Sequence, residues 1–268
     1  MFEAAQQLLA AVMIRVRVNR SRETILNGVP MISKTRRRGA GVVIAGGNVF
    51  LVLARSGVRM FARAPAWIAW EMHCTQLLYP DEARARAISP RAVALARLPG
   101  MSLRQMLRGR QPLSSAFRCA AIEIGRAHQL ECPRYGGRWS HGDLHLDNVL
   151  YDAATERAFL VDFDTRHVWT LPAEWRQADD LLVLLLELLA SDSEDWCALA
   201  GAFLAAYPDG RVLAELERRL TVPRGFARTL FHTRTGGKPT RQVEARLQEL
   251  RPMVRIAADR VANLERLT

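Results

Sequence analysis

Apolar and polar residues alternate along the front of the chain. Residues 13–19 alternate in this way, and residues 23–34 do so on both sides of the pair Asn27-Gly28. Alternation with a period of two is typical of strands that bury one face, and an Asn-Gly pair between two such runs indicates a hairpin. The pattern therefore predicts a small antiparallel sheet, preceded by a short helix over residues 3–13.

Two further elements of the front part follow from proline and glycine positions. A helix is predicted over residues 67–78, between Pro65 and Pro80. A buried strand at residues 91–97 then runs into a Leu-Pro-Gly break at residues 98–100. Because proline and glycine interrupt regular structure, this break is the predicted boundary between two parts of the chain.

The apolar period changes beyond this break. Apolar residues recur there every three to four positions, which is the spacing of amphipathic helices. The predicted helices cover residues 102–108, 115–130 and 180–190, with several more towards the end of the chain. The only later strands predicted are residues 148–152 and 157–163, joined by a short turn.

The segment at residues 39–65 has no clear period. It mixes glycines, apolar stretches and arginines at a spacing that fits either strands or short amphipathic helices, so no structure is assigned to it. The order of the other elements predicts an α+β fold. A small antiparallel β-rich part over residues 1–98 is followed by a larger, mainly helical part over residues 99–268.

Composition and charge narrow the class of protein. The chain of 268 residues is 49% hydrophobic and 24% charged, as expected of a globular protein. Residues 1–80 hold 11 basic and three acidic side chains, a net charge of +8 out of +11 for the whole chain. This asymmetry favours an anionic membrane surface or a phosphate-rich partner, although charge alone does not select nucleic acid.

The sequence also bears on cellular location. No basic-headed signal segment and no apolar run of ~20 residues is found, so we expect a cytoplasmic protein, with peripheral contact to the inner face of a membrane as a further expectation. The four cysteines form no C-x-x-C pair, which is typical of reduced, buried thiols.

The densest candidate chemistry lies at residues 140–164. Ser-His-Gly-Asp-Leu-His-Leu-Asp-Asn spans residues 140–148, and Val-Asp-Phe-Asp spans residues 161–164. These runs resemble the catalytic loop and D-F-G segment of the protein-kinase-like superfamily, in the bacterial H-G-D form of aminoglycoside phosphotransferases, lipopolysaccharide-sugar (Kdo) kinases and RIO-like kinases. The resemblance implies a bilobal protein-kinase-like fold, with residues 39–65 as an insertion in the first lobe and the boundary after residue 98.

The resemblance also implies a role for each residue. Asp143 would orient the acceptor hydroxyl or accept its proton, and His141 would brace the catalytic loop (residues 141–148) beside it. Asn148 and Asp162 would hold magnesium, or manganese in its place, against the phosphates of ATP. Asp164 replaces the glycine of D-F-G and would reach a second metal or the acceptor, with a solvated or helix-capping carboxylate as the alternative.

The same loop contains a second metal-binding pattern. His141, Asp143 and His145 spell H-x-D-x-H, which could hold the metal of a hydrolase. The other histidines show no paired spacing, and this interpretation gives Asn148 and Asp162 no role. The phosphotransferase interpretation is therefore preferred.

Lysine is rare in this chain. Of the 38 basic residues, 36 are arginine, and only Lys34 and Lys238 are lysine. The resemblance implies a lysine for the α- and β-phosphates of ATP on a strand of the small lobe, and Lys34 ends such a strand, with Arg63 as the alternative. In the family, a carboxylate on the following helix pairs with this lysine. Glu71 is the only acid in residues 24–80, so it is the predicted partner.

The sequence departs from the family at one point and leaves another open. Residues 1–27 contain no glycine, so a predicted turn at residues 19–22 would have to cover the phosphates in place of a glycine-rich loop. In the family, an aspartate at the start of a large-lobe helix ties down the catalytic loop. Asp179 and Asp180 are equal candidates for this position.

The resemblance implies an enzyme, a kinase that moves the γ-phosphate of ATP to an acceptor hydroxyl. The preferred acceptor is a sugar of a membrane glycolipid of the lipopolysaccharide core type. Arginines and four aromatic residues of the front part would suit an anionic interface, with a buried aromatic stripe as the alternative. These aromatic residues are Phe50, Phe61, Trp67 and Trp70.

Other acceptors and a non-enzyme remain alternatives. A protein serine or threonine is one acceptor class, and a free small molecule such as an aminoglycoside is another. A cationic small molecule would require an acidic pocket, for which residues 192–195 hold the only dense acidic run of the second part. A pseudokinase scaffold without catalytic activity is the alternative of a different class.

Overall fold

A computed structural model of the protein describes residues 18–81, 84–109 and 113–267. The helix predicted over residues 3–13 lies outside these ranges, as does most of the predicted strand at residues 13–19. Within them the fold is α+β, as predicted: a small antiparallel sheet comes first, and a mainly helical part follows.

Short strands and longer helices alternate along the described residues. The strands are β1 (Asn19–Leu26), β2 (Val29–Arg36), β3 (Val58–Met60), β4 (Ala85–Ser89), β5 (Ala92–Ala96), β6 (Met101–Ser102), β7 (Glu131–Cys132), β8 (Gly137–Arg138), β9 (Val149–Asp152), β10 (Arg157–Leu160) and β11 (Thr165–His167). The helices are α1 (Ala40–Leu53), α2 (Ala64–Leu78), α3 (Leu103–Gly109), α4 (Ser114–His128), α5 (Ala173–Leu189), α6 (Trp196–Ala206), α7 (Gly210–Arg219), α8 (Phe226–Arg234) and α9 (Thr240–Leu267), with a 3-10 turn at Leu146–Asn148.

The main sheet is antiparallel, with the strand order β1-β2-β5-β4. Its first hairpin turns at Asn27-Gly28, as predicted, and both residues have positive φ, 51° and 76°, as a tight hairpin turn requires. The same register pairs Asn19 with Arg36 at the far end of the hairpin. The turn predicted at residues 19–22 is therefore wrong, because these residues continue β1.

The segment at residues 39–65 forms α1 and then β3. One face of α1 is buried, and the ring of Phe50 meets the edge of Phe226 in α8 at a centroid distance of 6.3 Å. Strand β3 pairs antiparallel with β11, so that Val58 lies opposite His167. The segment is thus tied both to the helical part and to the residues that follow the Asp-Phe-Asp run.

The aromatic residues expected at an anionic interface are core residues instead. Trp67, Trp70 and Phe50 are 0%, 1% and 3% exposed, and Phe61 is half-buried against the same core. Trp67 forms a small cluster with Val93 and other residues of β5 beneath the sheet. The expectation of an aromatic interface is wrong, because Trp67 and Trp70 lie on the buried face of α2 and Phe50 lies on the buried face of α1.

The helical part is organised around α5, which packs against α7 while α4 packs against α6. Helix α5 begins at Ala173 and not at residue 180 as predicted. Its first turns carry buried polar residues such as Arg176, whose Nη1 donates to Ser140 Oγ at 3.0 Å. Polar side chains at buried positions interrupt the apolar period, which explains the late predicted start.

Several short strands were not predicted in either part of the chain. Strands β6, β7, β8 and β11 have two or three residues each, too few for a period to be recognised, and the exposed β4 has no buried alternating face. No helix within the described ranges combines the length and the apolar character needed to cross a bilayer. The four cysteines are free thiols; Cys74, Cys119 and Cys132 are buried and Cys197 is exposed.

Candidate active site

Lys34 links the front sheet to the Asp-Phe-Asp run. Its Nζ lies 2.5 Å from Glu71 Oε1 and 2.7 Å from Asp162 Oδ1. The side chains of Lys34 and Glu71 are 9% and 0% exposed. Burial alone would lower the pKa of Lys34, but the charges of Asp162 and Glu71 outweigh it and raise that pKa above its ordinary value. The alternative residue, Arg63, is exposed at the start of α2.

Asp162 lies between β10 and β11 with a backbone φ of 70°. A non-glycine residue in this left-handed region carries strain of about 1–3 kcal/mol, which the surrounding structure has to offset. Burial would raise the pKa of Asp162, but the Lys34 ammonium and its hydrogen bond lower it. The carboxylate is therefore held charged, in a backbone conformation that ordinary loops avoid.

Asp143 and Asn148 lie in the loop between β8 and β9. Asn148 Nδ2 donates to the backbone carbonyl of Asp143 at 2.9 Å, which leaves the amide oxygen available as a ligand. His145 Nε2 lies 3.3 Å from Asp143 Oδ2. Burial would raise the pKa of Asp143, but the charge of His145 and its hydrogen bond lower it to about 2. In return, Asp143 outweighs the effect of burial on His145 and raises its pKa to about 9.

His141 is buried and supports this loop through two hydrogen bonds. Its Nε2 donates to the carbonyl of Val161 at 3.0 Å, and its Nδ1 accepts from the backbone N–H of Asp143 at 3.3 Å. The two partners fix one neutral tautomer, and burial lowers the pKa of the ring in agreement with it. Both ring nitrogens are engaged in positioning the loop, so His141 is not a free base.

Asp180 of α5 is the aspartate that holds the catalytic loop. Its two carboxylate oxygens accept from the backbone N–H of His141 at 2.7 Å and of Gly142 at 2.8 Å. Asp179 turns away from the loop and accepts from Arg219 Nη2 at 2.6 Å. The structure therefore separates two residues that the sequence left equivalent.

Asp164 is held by two donors from the front part. Its oxygens accept from Asn19 Nδ2 at 2.5 Å and from Trp67 Nε1 at 2.6 Å. It is thus neither a solvated carboxylate nor a helix cap. Burial raises the pKa of Asp164 to about 8, and the neighbouring charge of Asp162 adds to this effect.

Sequence reasoning missed the residues that position Asp164. Arg36 donates from Nε to Asn19 Oδ1 at 2.9 Å and stacks on the ring of Trp67 at 4.3 Å. The sequence predicts Asn19 in a turn, and it predicts Trp67 either at an anionic interface or in a buried aromatic stripe. Only the hairpin register, which sets Asn19 opposite Arg36, could have indicated their joint position.

No family model matches the chain, and no curated protein matches it. The chemistry of the site therefore rests on its residues and their geometry. In that geometry, four charged residues lie close together. They are Lys34 of β2, Glu71 of α2, and Asp162 and Asp164 of the β10–β11 connection. Asp143 and Asn148 lie in the neighbouring loop, which the His141–Val161 hydrogen bond joins to the same connection.

The donor atoms of this site fit a divalent cation. Ligand oxygens of Glu71, Asp162 and Asp164 all lie within 4.8 Å of one another. Glu71 Oε2 is buried and has no hydrogen-bond partner among the described residues. Clustered carboxylates with an orphaned oxygen are the hard ligands that magnesium prefers, and a cation would offset the repulsion that raises the pKa of Asp164.

A cavity of about 950 Å³ adjoins the catalytic loop at Leu146. Arg234 lines it, and the charge of Arg234 helps to lower the pKa of Asp143. The acidic run that a cationic acceptor would require, residues 192–195, lines this cavity, but the lining also holds basic residues. These are Arg104, Arg108, Arg234 and Lys238, against the acids Glu187, Asp192, Glu194 and Asp195. The cavity is therefore of mixed charge and not acidic.

Proposed function

We propose that this protein is an ATP-dependent phosphotransferase with a bilobal protein-kinase-like fold. The observation that carries the proposal is the position of Lys34, one of two lysines in the chain, between buried Glu71 and Asp162. The front part would form the first lobe, with α1 and β3 inserted between the lysine strand and α2. Because ATP is the donor, the proposed site of action is the cytoplasm.

In the proposed reaction, an acceptor hydroxyl attacks the γ-phosphorus of ATP while the bond from that phosphorus to the ADP oxygen breaks. The hydroxyl proton passes to Asp143. With a pKa of about 2, Asp143 is a weak base, so its main contribution is to orient the hydroxyl until the proton is released late in the transfer. Lys34 binds the α- and β-phosphates as a compact positive charge.

Asn148 and Asp162 would hold magnesium, and carboxylate oxygens of Glu71 and Asp164 lie within 4.8 Å of an Asp162 oxygen. When bound, the ion supplies positive charge that neutralises the phosphates and aligns them for transfer. The chain's own contribution is to keep these oxygens in place: the Lys34 ion pair and the left-handed backbone of Asp162 fix its carboxylate.

Thermal unfolding with and without magnesium and ATP tests the nucleotide site. A ligand that binds only the folded state raises the melting temperature. We expect a magnesium-dependent rise for the wild type that Asp162→Asn abolishes, since asparagine tolerates the left-handed backbone but lacks the charge. Asp147→Asn, an exposed acid of the same loop, should keep the rise. No rise at ATP well above the millimolar range would favour the pseudokinase scaffold instead.

A second measurement separates binding from transfer. Asp143→Asn should keep the magnesium and ATP response in thermal unfolding but lower the rate of ADP formation by at least about 10²-fold. If the Asp143→Asn variant turns over ATP like the wild type, the assignment of Asp143 fails even though the nucleotide site stands.

The preferred acceptor is a polar sugar of a membrane glycolipid. A cavity of about 950 Å³ with mixed charge suits a sugar that carries hydroxyl and anionic groups better than a polycationic aminoglycoside. Transfer of labelled phosphate from ATP should occur to lipopolysaccharide-type glycolipid in vesicles. Preferential labelling of protein serine or threonine, or of an aminoglycoside, would redirect the proposal to those acceptor classes.

A further inference from the structure

Helix α1 exposes an entirely apolar face. The helix has 14 residues and no charged side chain. Its exposed large side chains are Val42 at 80%, Val43 at 40%, Val49 at 60%, Val52 at 51% and Leu53 at 53%. At about 100° per residue, Val42, Val49 and Leu53 share one face of the helix, opposite the buried Ile44 and Leu51. A contiguous apolar face of this kind marks an interaction surface.

Arginines flank this face at both ends. Arg37 and Arg38 are exposed just before α1, and Arg55 and Arg63 are exposed after it. No acid occurs in residues 24–70, so no carboxylate of this stretch offsets them. An uncharged apolar stripe between arginines is typical of helices that lie in the interface of a membrane with anionic lipids.

A second basic feature adjoins the carboxyl end of α1. Ala54, Arg55 and Ser56 line a cavity of about 340 Å³ together with residues of α5, α7 and α8. Its charged lining consists of Arg55, Arg218, Arg219, Arg234 and Asp179. Arg219 Nε is buried there without a hydrogen-bond partner among the described residues. Arg219 and Arg234 already pair with Asp179 there, so the unbonded Nε of Arg219 is the group left to meet an anion.

We propose that α1 docks on an anionic phospholipid membrane. Its face of Val42, Val49, Val52 and Leu53 enters the boundary between head groups and acyl chains, and the flanking arginines bind lipid phosphates. A helix of 14 residues is about 21 Å long, so it lies in the interface rather than across the bilayer. This surface lies outside the proposed phosphotransfer site and does not depend on that activity.

Charge complementarity favours lipid over a second copy of the chain. Two copies that met through α1 would bring the arginines of one against those of the other, and residues 24–70 supply no carboxylate between them. An anionic bilayer supplies both the apolar layer and the opposite charge. We therefore assign this surface to lipid. Self-association through α1 is the alternative that the experiment below can detect.

Vesicle sedimentation of the full chain tests this proposal. We expect binding to phosphatidylcholine vesicles that contain phosphatidylglycerol, little binding to phosphatidylcholine alone, and weaker binding as salt is raised. The variant Val49→Ser with Arg38→Glu should bind at least about tenfold more weakly. The matched control, Ile122→Ser with Arg118→Glu, changes an exposed apolar residue and an exposed arginine of α4 equally and should bind like the wild type.

Both variants should keep the wild-type melting temperature, because the changed side chains are on the surface. Three results would overturn the proposal. These are absence of sedimentation with anionic vesicles, equal weakening in the α1 and α4 variants, and a dimer of the free protein that Val49→Ser disrupts. The last would assign the face to a second copy.

Discussion

Asp143 and His145 stabilise each other's charged forms across a 3.3 Å contact. The pKa of His145 is raised to about 9, so its contribution to stability is complete below its unfolded pKa of about 6.5 and is lost as the pH rises through 9. The pKa of Asp143 is lowered to about 2, so its contribution is present above about 3.8 and is lost as the pH falls through 2. The pair therefore stabilises the folded protein most at pH values between about 3.8 and 6.5.

Replacing His145 should show how the stability contributed by His145 is lost at alkaline pH. We expect His145→Gln to lower the melting temperature by a constant amount between about pH 4.5 and 6, and by progressively less between about pH 6.5 and 9.5. Differential scanning calorimetry across this range measures the difference. In an Asp143→Asn background, the same substitution should have a clearly smaller pH-dependent effect, and an unchanged pH dependence would refute the pairing.

Lys34 should matter for stability as well as for nucleotide binding. Lys34→Ala leaves the fully buried Glu71 without its partner, so we expect a loss of about 3–5 kcal/mol in the free energy of unfolding, measured with urea. Arg97→Ala removes an exposed ion pair with Glu23 and should cost about 0.5 kcal/mol or less. Equal effects would mean that the Lys34 pair is open to solvent.

The charged residues of the candidate site could be predicted from the sequence. The residues that position them through hydrogen bonds could not. Residue rarity and motif spacing predict Lys34, Glu71 and Asp162, and the structure brings these three residues together. Asn19 and Trp67 donate hydrogen bonds to Asp164, which lies 145 and 97 positions further along the chain. No local pattern encodes contacts at such separations.

At the scale of elements, the prediction succeeded where local chemistry decides the structure. The Asn-Gly hairpin and the helix at residues 67–78, now α2, follow from turn and proline signals. Helix α1 could not be assigned, because a helix that is apolar on both its buried and its exposed face has no period. The pairing of β3 with β11 is decided by tertiary packing alone.

Gly57 lies immediately before β3 and controls this pairing. Its φ is 72°, and a Cβ there would lie 2.5 Å from Trp175 Cη2 and 2.7 Å from Leu171 Cδ1. Trp175 cannot yield easily, because the Arg219 guanidinium stacks on it at 3.8 Å. Gly57→Ala should therefore cost about 3 kcal/mol in urea unfolding, the sum of backbone strain and overpacking.

Gly236 provides the matched control for this prediction. It has a similar φ of 59°, but nothing lies within 4 Å of its Cβ position. Gly236→Ala should cost only the backbone term of about 1 kcal/mol. If both variants lose the same stability, the contact between Gly57 and Trp175 is not a constraint on β3.

At the scale of the whole molecule, the Asp-Phe-Asp run is one place where polar contacts join the front part to the helical part. Lys34, Asn19 and Trp67 of the front part all bond to its two aspartates. Trp70 Nε1 adds a bond to the carbonyl of Thr165 just beyond it at 3.1 Å. These polar contacts around one short segment add to the packing of Trp70, Cys74 and Leu78 in the core that the front part shares with the helical part.

Trp67→Phe tests this joint, because phenylalanine keeps an aromatic ring and loses only the N–H donor. We expect it to cost about 1–2 kcal/mol more than Trp139→Phe in urea unfolding. Trp139 is equally buried, but its Nε1 has only a weak contact with Cys74 Sγ at 3.5 Å. Equal costs would show that the bond to Asp164 contributes nothing beyond ring packing.

Because lysine is scarce in this chain, chemical labelling of lysine can report on the contact between Lys34 and Asp162. Lys34 and Lys238 carry the only side-chain amines of the chain, and their side chains are 9% and 31% exposed. An acylating reagent reaches Lys238 from solvent, whereas it reaches Lys34 only while β2 and Asp162 are apart. The ratio of acylation at these two amines therefore reports, in a single peptide map of the native protein, how often Lys34 separates from Asp162.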